Sequence, residues 1–274
     1  MKKLSLALVL SLSIILLQSC QKDDLTTPPV DQQAQKAPEL PKAESFVMPF
    51  TAFEGYAEED NSRAISNWVY SASNVVIWNL VLTQQLIIPV ASFYESFNHS
   101  AAYQGGGVWL WAYEIPDNNG TYYAELYGEL LASNEVKWDM YISQEGGFSQ
   151  MHWYTGITAN DGSYANWSLS YNPYDPTPKI NINYQKNDGN GVESIRYTNI
   201  IPGAAENGGY IEYRKENNSG ADFNRMYDIY NSEIDNLIEI KWNNPGNDGR
   251  VKDAEHFQDN EWHCWDNYLQ DIDC

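Results

Sequence analysis

Cysteine is scarce in this chain: three in 274 residues, at positions 20, 264 and 274. That count excludes a structural zinc site of the four-thiolate kind, which needs cysteine pairs at short spacing. Basic residues are also few, 16 Lys and Arg against 37 Asp and Glu, for a net charge of −21. This balance argues against nucleic acid and against anionic lipid surfaces as partners. Histidine is limited to His99, His152, His256 and His263, with no i, i+4 pair and no His-Glu-x-x-His. A metal centre of the helical zinc type is therefore not written here. There is no Gly-x-Ser-x-Gly, and the glycine run 105–107 lacks the lysine of a phosphate-binding loop, so neither that hydrolase class nor nucleotide binding is indicated. With 37 acids, some carboxylate pair always looks plausible, so the count nominates no glycosidase site. No catalytic residue and no cofactor emerge from the sequence.

Long apolar runs are missing as well. Residues 4–17 are uncharged, but the run is shorter than the roughly 20 residues a membrane span needs. It follows Lys2 and Lys3 and precedes Gln18-Ser19-Cys20, which is the order of a secretory signal. The cysteine at its end gives it a further meaning. The stretch resembles the lipobox of bacterial lipoproteins, with Gln18 as a departure from the small residue common there. The resemblance implies a signal peptide over 1–19, cleavage before Cys20 and acylation of that cysteine. Gln21, Lys22, Asp23 and Asp24 resemble the export tag of Bacteroidetes-type Gram-negative lipoproteins, which implies an outer-membrane lipoprotein facing the cell exterior. Loss of 1–19 leaves 14 basic against 37 acidic side chains, net −23. The membrane is then a partner through the N-terminal lipid, and the protein is anchored rather than spanning.

Pro28, Pro29, Pro38, Pro41 and Pro49 punctuate a polar stretch after the anchor. Its composition predicts a disordered tether over 20–49, followed by a single β-rich domain over 50–274. Within that domain residues 61–103 read as helical. Asn61 or Ser62 can cap a helix, and Ile65, Trp68, Val69, Ala72, Val75 and Val76 keep helical spacing. Pro89 must end or kink it. Apolar residues lie almost all round, which predicts a buried helix. Asn79, Thr83, Gln84, Gln85 and Pro89 interrupt the run and disfavour a membrane span.

From Gly106 onward the pattern turns to period two. Val136, Trp138, Met140 and Ile142 alternate with Lys137, Asp139 and Tyr141, and the same alternation recurs between turns such as Asn160-Asp161-Gly162. Hairpin after hairpin without an intervening helix predicts a mainly β fold. It should be an antiparallel meander of about 10–12 strands, curved or closed like a barrel, with the N-terminal helix buried on one face. The strands expected late in the chain include 223–230, 233–242 and 251–257.

Three groups of residues are candidates for function. Cys264 and Cys274, in an exported chain, form an even leftover pair and read as one disulfide. Trp109, Trp111, Trp138, Trp153 and Trp167 sit on expected strands, as does Trp242, and either pack the sheet or form a ligand-binding strip. The oxygen-rich loops 117–120, 187–191 and 243–248 match no calcium-loop spacing and read as hairpin turns. The expected function is that of an anchored envelope lipoprotein acting as a non-catalytic binding module, with an apolar ligand held where the helix leaves room over the sheet. The alternatives are glycan binding on exposed aromatics and a glycoside hydrolase-like activity.

Overall fold

The computed structural model describes residues 36–53, 66–117, 120–189, 191–217 and 220–274. The expected signal peptide 1–19, Cys20, the tag residues Gln21, Lys22, Asp23 and Asp24, and the caps Asn61 and Ser62 lie outside the described residues.

One helix precedes one sheet. Helix α1 runs Asn67–Ser96, ending short of the expected 103, because the chain turns after Ser96 and enters the first strand at Ala102. Fourteen strands follow: β1 Ala102–Gly105, β2 Val108–Asp117, β3 Gly120–Leu130, β4 Glu135–Gln144, β5 Met151–Ala159, β6 Tyr164–Asn172 and β7 Asp175–Asn187. The second half of the sheet is β8 Val192–Asn199, β9 Tyr210–Glu216, β10 Arg225–Asn231, β11 Asn236–Trp242, β12 Gly249–Lys252, β13 His263–Trp265 and β14 Asp271–Ile272. Every strand pairs antiparallel with its neighbours in sequence, so the spatial order is the chain order. The meander is therefore as expected, but it does not close: β1 and β14 are its two edges. Both edges are short, four and two residues, which limits the unpaired backbone offered to other chains. β1, β13 and β14 are what raises the strand number above the expected 10–12. Strands this short carry too few alternating residues to be read from sequence.

Alternation decides which face is inside. Val136, Trp138, Met140 and Ile142 are all buried on one face of β4, and Leu126, Ile182, Ile195, Ile211 and Ile240 continue that face across the sheet. Flat indoles cover glycines on the next strand. Trp167 stands opposite Gly156 in register, and a Cβ on Gly156 would lie 2.1 Å from the Trp167 ring. Gly128 meets the rings of Trp138 and Trp111 in the same way. Only glycine leaves the ring that space.

A sheet of this size must curl or split, and α1 shows that it curls. The helix touches β2 near one edge and β12 and β13 near the other. It bends by 77° between Asn67–Leu82 and Leu86–Ser96, so its ends are about 32 Å apart at 1.5 Å per residue. Ten strand spacings in a flat sheet would need about 48 Å. The cause of the bend is Pro89, which offers no N–H to the carbonyl four residues back and crowds it. Ser66 caps the start, its Oγ accepting from the Val69 amide at 3.2 Å. The first turn is pinned by the end of the chain. Asp271 Oδ1 accepts from the Asn67 amide at 2.9 Å and the Cys264 carbonyl accepts from Asn67 Nδ2 at 3.0 Å.

Three expectations need correction. The prolines over 36–49 predict a tether, yet these residues, together with Phe50, form a strap lying in the curl of the sheet. Phe46 and Met48 are fully buried there. The sheet's own polar side chains hold this irregular backbone, as buried peptide groups require. Trp167 Nε1 donates to the Ser45 carbonyl at 2.9 Å, Tyr197 Oη donates to the Phe46 carbonyl at 2.7 Å and accepts from the Met48 amide at 3.0 Å, and Tyr227 Oη donates to the Pro49 carbonyl. Second, α1 is covered on one side only. Trp68, Ala72, Val75, Leu82, Leu86 and Phe93 are buried, while Ile77, Leu80, Val81 and Ile87 face outward. A lone helix over a concave face has no second layer to cover its back. Third, the strand expected over 251–257 ends at Lys252. Asp253 then caps a one-turn helix, Ala254–Phe257 (α2), through the Glu255 and His256 amides. No single helix among the described residues is long and apolar enough to cross a membrane, although the two arms of α1 together pass on length and composition.

Candidate functional site

The bend in α1 opens a space. Where the second arm turns away, the helix, the strap and the sheet enclose a trough of about 670 Å³. Leu82, Leu86, Ile87 and Val90 of α1 form one wall, Val47 and Phe50 of the strap form the other, and Tyr197 of β8 lies at the floor. The lining is mostly apolar, with Glu44, Thr51 and Asn79 and the hydroxyls of Tyr94 and Tyr197 as its polar members. Burial pushes the Tyr197 hydroxyl well above its ordinary pKa, so it stays a neutral group held to the strap. The size and character fall in the range of small-molecule sites, about 300–1,000 Å³ with few polar groups. Ile87 belongs both to the trough and to the outward face of α1, with 63% of its surface exposed.

A second pocket of about 220 Å³ adjoins the first. Glu44, Pro49 and Thr51 line both. Beyond them the lining gains charged side chains, with Glu193, Lys215, Arg225 and Asn244 set among Tyr184, Ile195, Tyr213 and Trp242. Glu193, Lys215, Arg225 and Trp242 occupy consecutive register positions on β8 to β11.

The residues singled out in the sequence are placed differently. Trp111, Trp138, Trp153, Trp167 and Trp242 are buried core residues, and Trp109 is half-buried against Tyr103, ring centroids 5.0 Å apart. The first five cannot offer a ring face to a sugar without opening the core, so they form no glycan-binding strip. Cys264 and Cys274 are bonded to each other and tie β14 to β13. His256 stacks on Tyr70 at 3.8 Å and His263 on Phe257 at 3.7 Å. No cluster of metal-ligating side chains occurs among the described residues.

The convex face of β8 to β10 carries two arginine–carboxylate ion pairs. Arg196 donates to Glu212 and Arg214 to Asp228, with Arg196 also over the Tyr210 ring at 4.1 Å. Glu212 and Asp228 face each other across β9 and β10. Burial pushes the Asp228 carboxyl up, against the opposing pull of Arg214. A raised acid beside a second carboxylate is the pattern a hydrolase uses, but here an arginine on a neighbouring strand meets each one. That is the arrangement of an ion-pair ladder.

Sequence reasoning missed the trough because its walls come from three distant segments. One of them, the strap, was read as tether. The signal that could have found it is Phe46-Val47-Met48, three apolar residues between the prolines at 41 and 49. Comparison of the chain with known protein families, with curated proteins and with solved structures finds no match.

Proposed function

We propose that this protein is an envelope lipoprotein, anchored through acylated Cys20 to the outer membrane and facing the exterior, whose β body is a non-catalytic binding module for an apolar ligand. The observation that carries the binding reading is the apolar trough at the bend of α1, open on one side and floored by a tyrosine whose hydroxyl is already occupied. Burial of an apolar chain there contributes about 25 cal/mol per Å² removed from water, which needs no charged partner.

Ala91 lines the trough and is exposed, so Ala91→Trp fills the space without disturbing the core. An uncharged apolar fluorophore should bind the detergent-free protein, and Ala91→Trp should abolish the signal while circular dichroism stays unchanged. Equal binding by the variant would refute the trough as the site. The anchor is tested separately: Cys20→Ser should lose incorporation of a labelled fatty acid and release the protein from membranes.

A further inference from the structure

The smaller pocket beside the trough has a feature that folding alone does not explain. Lys215 and Arg225 stand directly opposite each other on β9 and β10, and like charges in that position destabilise a sheet. The arginines of β8 and β9 are matched, Arg196 with Glu212 and Arg214 with Asp228, on the convex face. Lys215 and Arg225 point into the concave side, and neither has an ion pair among the described residues. Arg225 instead donates to its neighbour's carbonyl, Asn224, at 2.7 Å. Glu193 faces Lys215 across the strands, but its carboxylate accepts from the Tyr184 hydroxyl at 3.1 Å. Glu44 is exposed at the junction of trough and pocket.

We propose that the site takes a single-chain amphiphile, its apolar chain in the trough and its anionic head, a carboxylate or phosphate, on Lys215 and Arg225. This rests on the reading of the trough as an apolar-ligand site and adds the class of ligand. The two pockets share Glu44, Pro49 and Thr51 in their walls, about 670 Å³ of mostly apolar lining beside about 220 Å³, and only the smaller one holds Lys215 and Arg225. That is the division an amphiphile has. A head bridging the two cations relieves their repulsion and gains charge-assisted hydrogen bonds. The net charge of −21 keeps the body off an anionic surface. Glu44 and Glu193 line the same pocket, so the anionic head must sit between Lys215 and Arg225, on the side away from those carboxylates.

The test is displacement of the uncharged fluorophore from the full, detergent-free protein by four twelve-carbon probes: dodecanoate, dodecyl phosphate, dodecyl maltoside and dodecyltrimethylammonium. In the wild type the two anionic probes should bind tightest, and the tighter of them names the head as carboxylate or phosphate. Lys215→Gln combined with Arg225→Gln should weaken both by about tenfold or more, the value of hydrogen bonds to a charged group, and leave dodecyl maltoside unchanged. Anionic probes binding the double variant as well as the wild type would overturn the head assignment while leaving the trough intact. Equal weakening of all four probes would also overturn it, since only packing would then have changed. No binding of any probe, nor of the fluorophore, would sink the trough reading itself.

Discussion

The concave face of the sheet is built in two ways. From β2 to β6 it is sealed. Phe46 of the strap stacks on Phe93 at 4.6 Å and meets Tyr154 and Trp167 at 5.0 and 5.2 Å, and indoles lie flat on Gly128 and Gly156. From β8 to β10 it is sealed at Ile195, Ile211, Tyr227 and Ile229 but open at Lys215 and Arg225. The strap stays tied to the sheet here through Tyr197 and Tyr227, but the second arm of α1 diverges, and Lys215 and Arg225 line a pocket rather than fill the core. Both regions use the same alternation and the same kinds of strand. They differ in what the covering elements bring: an aromatic wedge in one, and a proline-bent helix in the other. The room for a ligand is thus set by the cover, whereas the sheet supplies the same kind of face throughout.

Substitutions on the sealed side should break the fold, and those on the open side should spare it. Phe46→Ala removes the wedge and should cost about 3–5 kcal/mol in urea unfolding, the range for a buried Phe. Gly156→Ala pushes a Cβ into the Trp167 ring and should cost about 1–3 kcal/mol, as overpacking does, with quenched or shifted tryptophan emission. Tyr197→Phe, at the border of the two regions, strands the Phe46 carbonyl and the Met48 amide. It should cost about 1–3 kcal/mol and speed hydrogen exchange at Met48. Ile87→Ser, on the open side, should change stability by no more than about 0.5 kcal/mol yet weaken binding of an apolar probe.

The sheet was legible because it repeats one rule. Each long strand alternates, and Asn-Gly and Asp-Gly turns separate the strands, so residues such as Val136 to Ile142 announce their own face. Short strands escape that rule: His263–Trp265 and Asp271–Ile272 are made by register with β12 and by the Cys264–Cys274 bond, neither of which is a local signal. The strap escaped for the opposite reason. Its prolines read as tether, and its order comes from Trp167, Tyr197 and Tyr227, more than 100 residues away. The outward apolar face of α1 was misread because helical spacing counts apolar residues and does not say how many neighbours will cover them. Of the candidate site, the pieces Leu82 to Val90 and Lys215 were visible as residues, but their meeting depends on the curl of the sheet.

The most direct measurement is methyl NMR of isoleucine side chains during titration with a twelve-carbon amphiphile. An open trough beside a sealed core predicts that the Ile87 methyl signal shifts with ligand while that of Ile142, fully buried on β4, stays fixed. A shift at Ile142 with none at Ile87 would contradict it, as would no shift at either under saturating ligand.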